Sequence, residues 1–201
     1  MINIEKIWSC VLIKLTKDLY IAKGAERECY ADPEDSSKLI KIQYNNAIDR
    51  NQNDLDVFYY NYLKDRDISY SHIPKYYQNV KTNRGEGVLF DAIKDYNGEY
   101  SKSFEDVVLQ KTLSAEMETT LLDELQLYLL NNMIVFGDVV LSNILCQEFK
   151  ENEYKLIIVD GLGARRFGFK LWLHTRSKLF TKFRIKKQWK KLIQNYQECK
   201  N

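Results

Sequence analysis

The rhythm of apolar positions changes near the middle of this chain. Up to Ile93 apolar residues come in short, loosely alternating runs broken by turn formers, the period-two pattern of strands. Residues 9–15 and 18–22 read as strands around a turn at Thr16, Lys17 and Asp18. A turn over residues 23–27, holding Gly24, leads to a strand at 28–31. A second turn, 32–35, leads to a strand at 39–43 with Lys41 in its middle. One helix interrupts them at 53–65, where Leu55, Tyr59, Tyr62 and Leu63 form a stripe. Residues 76–80 and 87–93 read as a hairpin. After a polar linker at 94–98 the period becomes helical, over 103–108 and 114–131. Leu121, Leu122, Leu125, Leu129 and Leu130 mark the buried side of the second helix, and Ser114 its N-cap. Two apolar runs around a charged hairpin then fill residues 144–159. This order predicts an α+β class, with a β-rich unit at 1–93 and a mainly helical unit at 94–201.

Alternation also assigns faces. Ile40 and Ile42 share one side of their strand and Leu39 and Lys41 the other, which taken alone predicts a solvated Lys41. Asp56, early in its helix, reads as an exposed acid favoured by the helix dipole. His72, beside Ile73-Pro74, reads as a structural or exposed histidine and not a catalytic one.

Composition adds size and charge to this pattern. With 201 residues, 45% hydrophobic and 29% charged, the chain can bury a core and is neither disordered nor fibrous. The formal net charge of +2 is unevenly spread. Residues 164–201 hold twelve Lys and Arg against one Glu, a net +11, which leaves −9 on residues 1–163. A basic tail on an acidic body suits an anionic membrane surface, a phosphate-rich substrate or the body itself. Trp189, Leu192, Ile193 and Tyr196 form a helical stripe in that tail, and Leu179, Phe180 and Phe183 an earlier one. Packing on the body and docking on anionic lipid are equally served by such a helix. Nucleic acid is not expected, because no reader motif is present and the body is acidic. Cys10, Cys29, Cys146 and Cys199 lack metal spacing and read as reduced thiols. The first apolar run is short and is broken by Lys14, so neither an export signal nor a membrane span is expected. The expected location is cytoplasmic, with a peripheral position at the inner membrane face open to the tail.

The chemistry lies in the order of a few polar residues. Phosphoryl transfer from a nucleotide needs a turn over the phosphates, a lysine held by a helical acid, an acid for the acceptor hydroxyl, and an amide and an acid for magnesium. The chain supplies Gly24, Lys41, Asp56, Asp138, Asn143 and Asp160 in that order. Lys41 ends K-L-I-K, Asp138 and Asn143 have four residues between them, and Asp160 opens D-G-L-G. Each piece is weak alone; their conjunction on suitable elements is the signal.

On these residues the chain resembles small kinase-fold proteins, and more narrowly the PhoP regulatory network (YrbL) family. The matching pieces include G-A-E-R-E-C-Y from Gly24, P-E-D from Pro33, H-I-P-K-Y-Y from His72 and the D-G-L-G run. The resemblance implies a bilobal protein-kinase-like fold with a reduced helical C-lobe, and ATP and Mg²⁺ as cofactors. It implies that Lys41 binds phosphates and pairs with Asp56, that Asp138 is the base, and that Asn143 and Asp160 hold the metal. Ile21, Leu39, Leu145 and Val159 would line the adenine, with residues 90–93 as hinge. The departures are a single glycine in the turn, with Arg27 expected to add charge for the phosphates, and an Asp where the helical acid is usually Glu. Phe136-Gly137 replaces the usual His-Arg before the base, and no A-P-E segment follows Asp160. They favour a small-molecule, sugar or lipid-headgroup acceptor over a protein. The alternative is an inactive pseudokinase that serves as a regulatory binding protein in an envelope-stress or PhoP-type network.

Overall fold

The computed structural model describes residues 12–44, 51–164 and 166–200. The start of the first expected strand and Cys10 lie outside the described residues. Ile13 forms a lone parallel bridge to Thr82 in place of the rest of that strand. The first strand, β1 (Tyr20–Lys23), follows a short 3-10 turn at Lys17–Leu19. After it come β2 (Arg27–Ala31), β3 (Lys38–Gln43), α1 (Gln52–Lys64), β4 (Tyr76–Thr82) and β5 (Gly85–Asp91). The five strands make an antiparallel sheet in the order β1-β2-β3-β5-β4.

Register decides which side chains this sheet turns to each face. Cys29 lies opposite Lys41, and Lys41 opposite Val88. Arg27, Cys29, Leu39, Lys41, Val88 and Phe90 therefore share the face that receives α1. The other face builds a small core of Leu15, Tyr30, Ile40, Ile42, Val80 and Leu89. A strand covered on both sides has no solvent face, so the solvated reading of Lys41 does not hold: the residue is only 6% exposed.

The later part of the chain is mainly helical. β6 (Lys102–Ser103) runs into α2 (Phe104–Leu109) and then α3 (Ala115–Asn132). β7 (Ile144–Lys150) and β8 (Glu153–Ile158) pair with β6 in a second antiparallel sheet, and α4 (Phe169–Arg176) and α5 (Lys178–Lys200) close the chain. Helix starts are set locally: Asn51, Ser103 and Ser114 each accept a hydrogen bond from the backbone N–H three residues on. A shared core joins Leu55, Tyr59 and Leu63 of α1 to Leu121 and Leu125 of α3, Leu156 and Ile158 of β8, and Trp189 and Leu192 of α5. The chain is thus a mixed α+β fold, β-rich in its first half and helical later. Among the described residues, no helix is long and apolar enough to cross a membrane.

Candidate functional site

Between the sheet and the helical half lies a cleft of about 1050 Å³. Ile21, Gly24, Arg27, Leu39 and Lys41 line it from the sheet, and Asp138, Asn143, Leu145, Val159 and Asp160 from the other side. These include seven of the eight site residues expected from sequence. The eighth, Asp56, sits behind Arg27 and does not reach the cleft wall. Of the expected hinge, residues 90–93, only Ile93 lines the cleft.

The lower wall is shaped by backbone pairing between two loops. The N–H groups of Gly137 and Asp138 both donate to the Gly161 carbonyl, and Gly163 N–H donates to Val135 O at 2.7 Å. Phe136 and Leu162 form a bridge between the same loops. Asn143 Nδ2 donates to the Asp138 carbonyl at 3.0 Å, and Val159 N–H to the Asn143 carbonyl at 2.9 Å. Asp138, Asn143 and Asp160 are thereby brought to one place from three points of the chain. Gly161 must be glycine here: its φ is +77°, and a Cβ would lie 2.7 Å from that of Asp138.

Two cations enter this wall from the sheet. Lys41 Nζ donates to the Val159 carbonyl at 2.5 Å. Arg27, 4% exposed, bonds Asp56 Oδ2 at 2.5 Å and Asn53 Oδ1 at 3.3 Å, and its other terminal nitrogen lies 2.7 Å from Asp160 Oδ1. Two expectations are corrected by this arrangement. The acid on α1 pairs with Arg27 and not with Lys41, since β2 carries the longer side chain deep enough to meet the short Asp56. Asp56 is itself buried, because its helix packs on the sheet, and it is not an exposed first-turn acid. Arg27, expected to add charge for the phosphates, lines the cleft and links Asp56 to Asp160.

The electrostatics follow from that link. Burial disfavours the Arg27 charge, but Asp160 and Asp56 outweigh it and raise the guanidinium above its ordinary value. Burial likewise tends to raise Asp160. The Arg27 and Lys41 charges and the Gly161 N–H, 2.7 Å from Oδ1, overcome it and hold the carboxyl well below the usual range. Asp160 is therefore ionised throughout the neutral range.

Contacts not foreseen from sequence hold the Asp138 loop from behind. Gln188 Nε2 donates to the Gly137 carbonyl and Asn195 Nδ2 to the Val139 carbonyl, both at 2.6 Å. The two amides are seven apart, two turns along α5, beside its buried stripe. That spacing is the only signal in the sequence, and Gln194 and Gln197 blur it. Elsewhere His72 is structural as expected: its Nδ1 donates to the Leu156 carbonyl at 2.7 Å, and its ring lies 4.8 Å from that of Tyr128. Among the described residues no three His, Cys, Asp or Glu side chains gather as a metal site. Burial pushes the Cys146 thiol up to about 12, which makes it inert.

Comparison with known proteins agrees over nearly the whole chain. The profile of the family described as PhoP regulatory network protein YrbL matches residues 13–197. The chain is 30% identical over 186 residues to the protein named Uncharacterized protein YrbL of Escherichia coli (strain K12), covering 90% of this chain and 87% of that one. The same figures hold for the protein of that name in Shigella flexneri. The chain therefore belongs to the PhoP regulatory network protein YrbL family.

Proposed function

We propose that the protein is an ATP- and Mg²⁺-dependent phosphotransferase of protein-kinase-like bilobal fold, acting on a hydroxyl of a small molecule, sugar or lipid headgroup. The observation that carries this reading is the gathering of Gly24, Lys41, Asp138, Asn143 and Asp160 around one cleft that also has apolar walls. In this reading Ile21, Leu39, Leu145 and Val159 enclose the adenine, and Lys41 turns from the Val159 carbonyl to the phosphates. Asp138 orients the acceptor hydroxyl and takes its proton. The donor set suits magnesium. Asn143 turns its amide nitrogen to the Asp138 carbonyl, which leaves its oxygen as a donor, and Asp160 is ionised. Mg²⁺ needs few protein oxygens and takes the remainder from water and phosphates. Bound there, the ion would neutralise charge on the phosphoryl group in transfer. A small acceptor is favoured because Phe136-Gly137 precedes Asp138 where protein kinases carry His-Arg.

A titration of thermal unfolding with ATP tests this, with and without Mg²⁺. Saturating ATP–Mg²⁺ at about 100 times its dissociation constant adds about 2.7 kcal/mol of stability. No shift of the midpoint overturns the reading. Asp138→Asn is expected to abolish turnover while leaving the ATP–Mg²⁺ shift in place.

One observation favours a second reading. Asp160 is paired with a buried arginine, and Lys41 rests on a carbonyl where an acid is usual. Both fit a pseudokinase that binds nucleotide without transferring phosphate and acts as a regulatory protein. It requires that Asp138→Asn leave cellular function intact, so a phenotype for that single change removes it.

A further inference from the structure

The segment that leads away from the cleft carries large apolar side chains that the fold does not cover. Phe167, Phe169, Trp172, Leu179 and Phe183 are between 52% and 85% exposed. Single exposed apolar residues are ordinary, but five within seventeen positions mark an interaction surface. They stand on the outer sides of α4 and the start of α5, whose inner sides bury Leu171, His174, Thr181 and Ile185. Phe169 stacks on Trp172 with centroids 5.6 Å apart, and Phe167 meets Phe58 of α1 edge-on at 5.8 Å. Cations are interleaved with them: Arg166, Arg176, Lys178 and Lys182 are all exposed.

We propose that this face docks on an anionic phospholipid bilayer. Aromatic and leucine side chains settle at the headgroup boundary, and the cations beside them meet anionic lipid. Charge complementarity selects this occupant, since residues 166–183 hold five Lys and Arg and no Asp or Glu. A second copy seated face to face would bring like charge against like charge. Single-stranded nucleic acid is less suited, because Leu179, the most exposed of the five, has no π face on which a base could stack. Ala164 and Arg166 belong to the cleft lining, so docking brings the cleft mouth to the level of the headgroups. The docking does not depend on phosphotransfer and stands or falls separately from it.

Co-sedimentation with vesicles tests the proposal. The full chain pellets with vesicles of phosphatidylcholine mixed with phosphatidylglycerol and stays in solution with phosphatidylcholine alone. Phe169→Ser combined with Leu179→Ser lowers the partition coefficient roughly tenfold. Lys178→Glu combined with Lys182→Glu lowers it by at least about fivefold per position. The charge pair supplies an independent reading if the serine variant does not fold. Emission from Trp172 shifts to the blue on binding, and this component of the shift is absent in Trp172→Phe. Adsorption by charge alone would give no such shift. The proposal is overturned if the protein does not pellet, if neither pair of substitutions weakens pelleting, or if Trp172 emission is unchanged. It is equally overturned if these substitutions instead abolish self-association or binding to single-stranded RNA.

Discussion

Arg27 is held by two acids that come from opposite sides of the cleft, Asp56 on α1 and Asp160 after β8. Taking away this buried cation leaves Asp56 uncompensated and Asp160 with only Lys41 and the Gly161 N–H, so Arg27→Met is expected to cost about 3–5 kcal/mol in urea denaturation. Arg27→Lys recovers only part of this, because an ammonium cannot serve two acids with a planar fork. The pair also sets an acid limit. Asp160 is depressed in the fold, so its contribution is complete above the ordinary carboxylate value near 4 and is lost as pH falls through the depressed one. Unfolding midpoints measured across acid pH should therefore drop below about pH 4, and drop less steeply in Arg27→Met. Gly161→Ala acts on the same wall by sterics. The left-handed φ and the 2.7 Å approach to Asp138 would displace that acid, at about 1–3 kcal/mol of stability, read by thermal unfolding and, on the proposed phosphotransferase reading, by a loss of turnover.

The Ser114 cap and the periods of the helices were legible because they are local, the cap acting on a backbone group three residues away; the caps at Asn51 and Ser103 are additions of the structure. Alternation alone would leave Lys41 in solvent and helix position alone would expose Asp56, because neither says which faces a later part of the chain will cover. The pairing of Arg27 with Asp160 spans more than a hundred residues and leaves no local trace. In the tail, Trp189, Leu192 and Tyr196 are buried as one expected stripe would have it, while Leu179 and Phe183 of the other are exposed. The buried stripe has a polar anchor: Glu118 of α3, 3% exposed, accepts from Tyr196 Oη at 2.6 Å and Lys200 Nζ at 3.0 Å. Tyr196→Phe removes a hydrogen bond to a buried carboxylate, with an expected cost of about 2 kcal/mol by chemical denaturation. Gln188→Ala together with Asn195→Ala should spare the fold. Faster amide exchange at Gly137 and Asp138 would be their readout, since these side chains hold that loop and little else.

The sheet half and the helical half meet through a shared apolar core and through polar contacts, some of which fall at the cleft. Arg27 reaches Asp160, Lys41 reaches the Val159 carbonyl, and the Tyr59 hydroxyl accepts from Val135 N–H at 3.0 Å. A ligand in the cleft therefore bears directly on how the halves are held, which is why nucleotide binding is expected to register in the cooperative unfolding of the entire chain. The 23 residues of α5 extend this connection. At one end the helix carries Leu179 and Phe183 on its open side; at the other, Gln188 and Asn195 grip the loop that bears Asp138. An uninterrupted α-helix of this length runs about 35 Å, so one element joins the exposed apolar face to the loop that bears Asp138. A proline in place of Lys186 or Lys187 is expected to interrupt the helix between these two parts, read as faster amide exchange at Gly137 and Asp138.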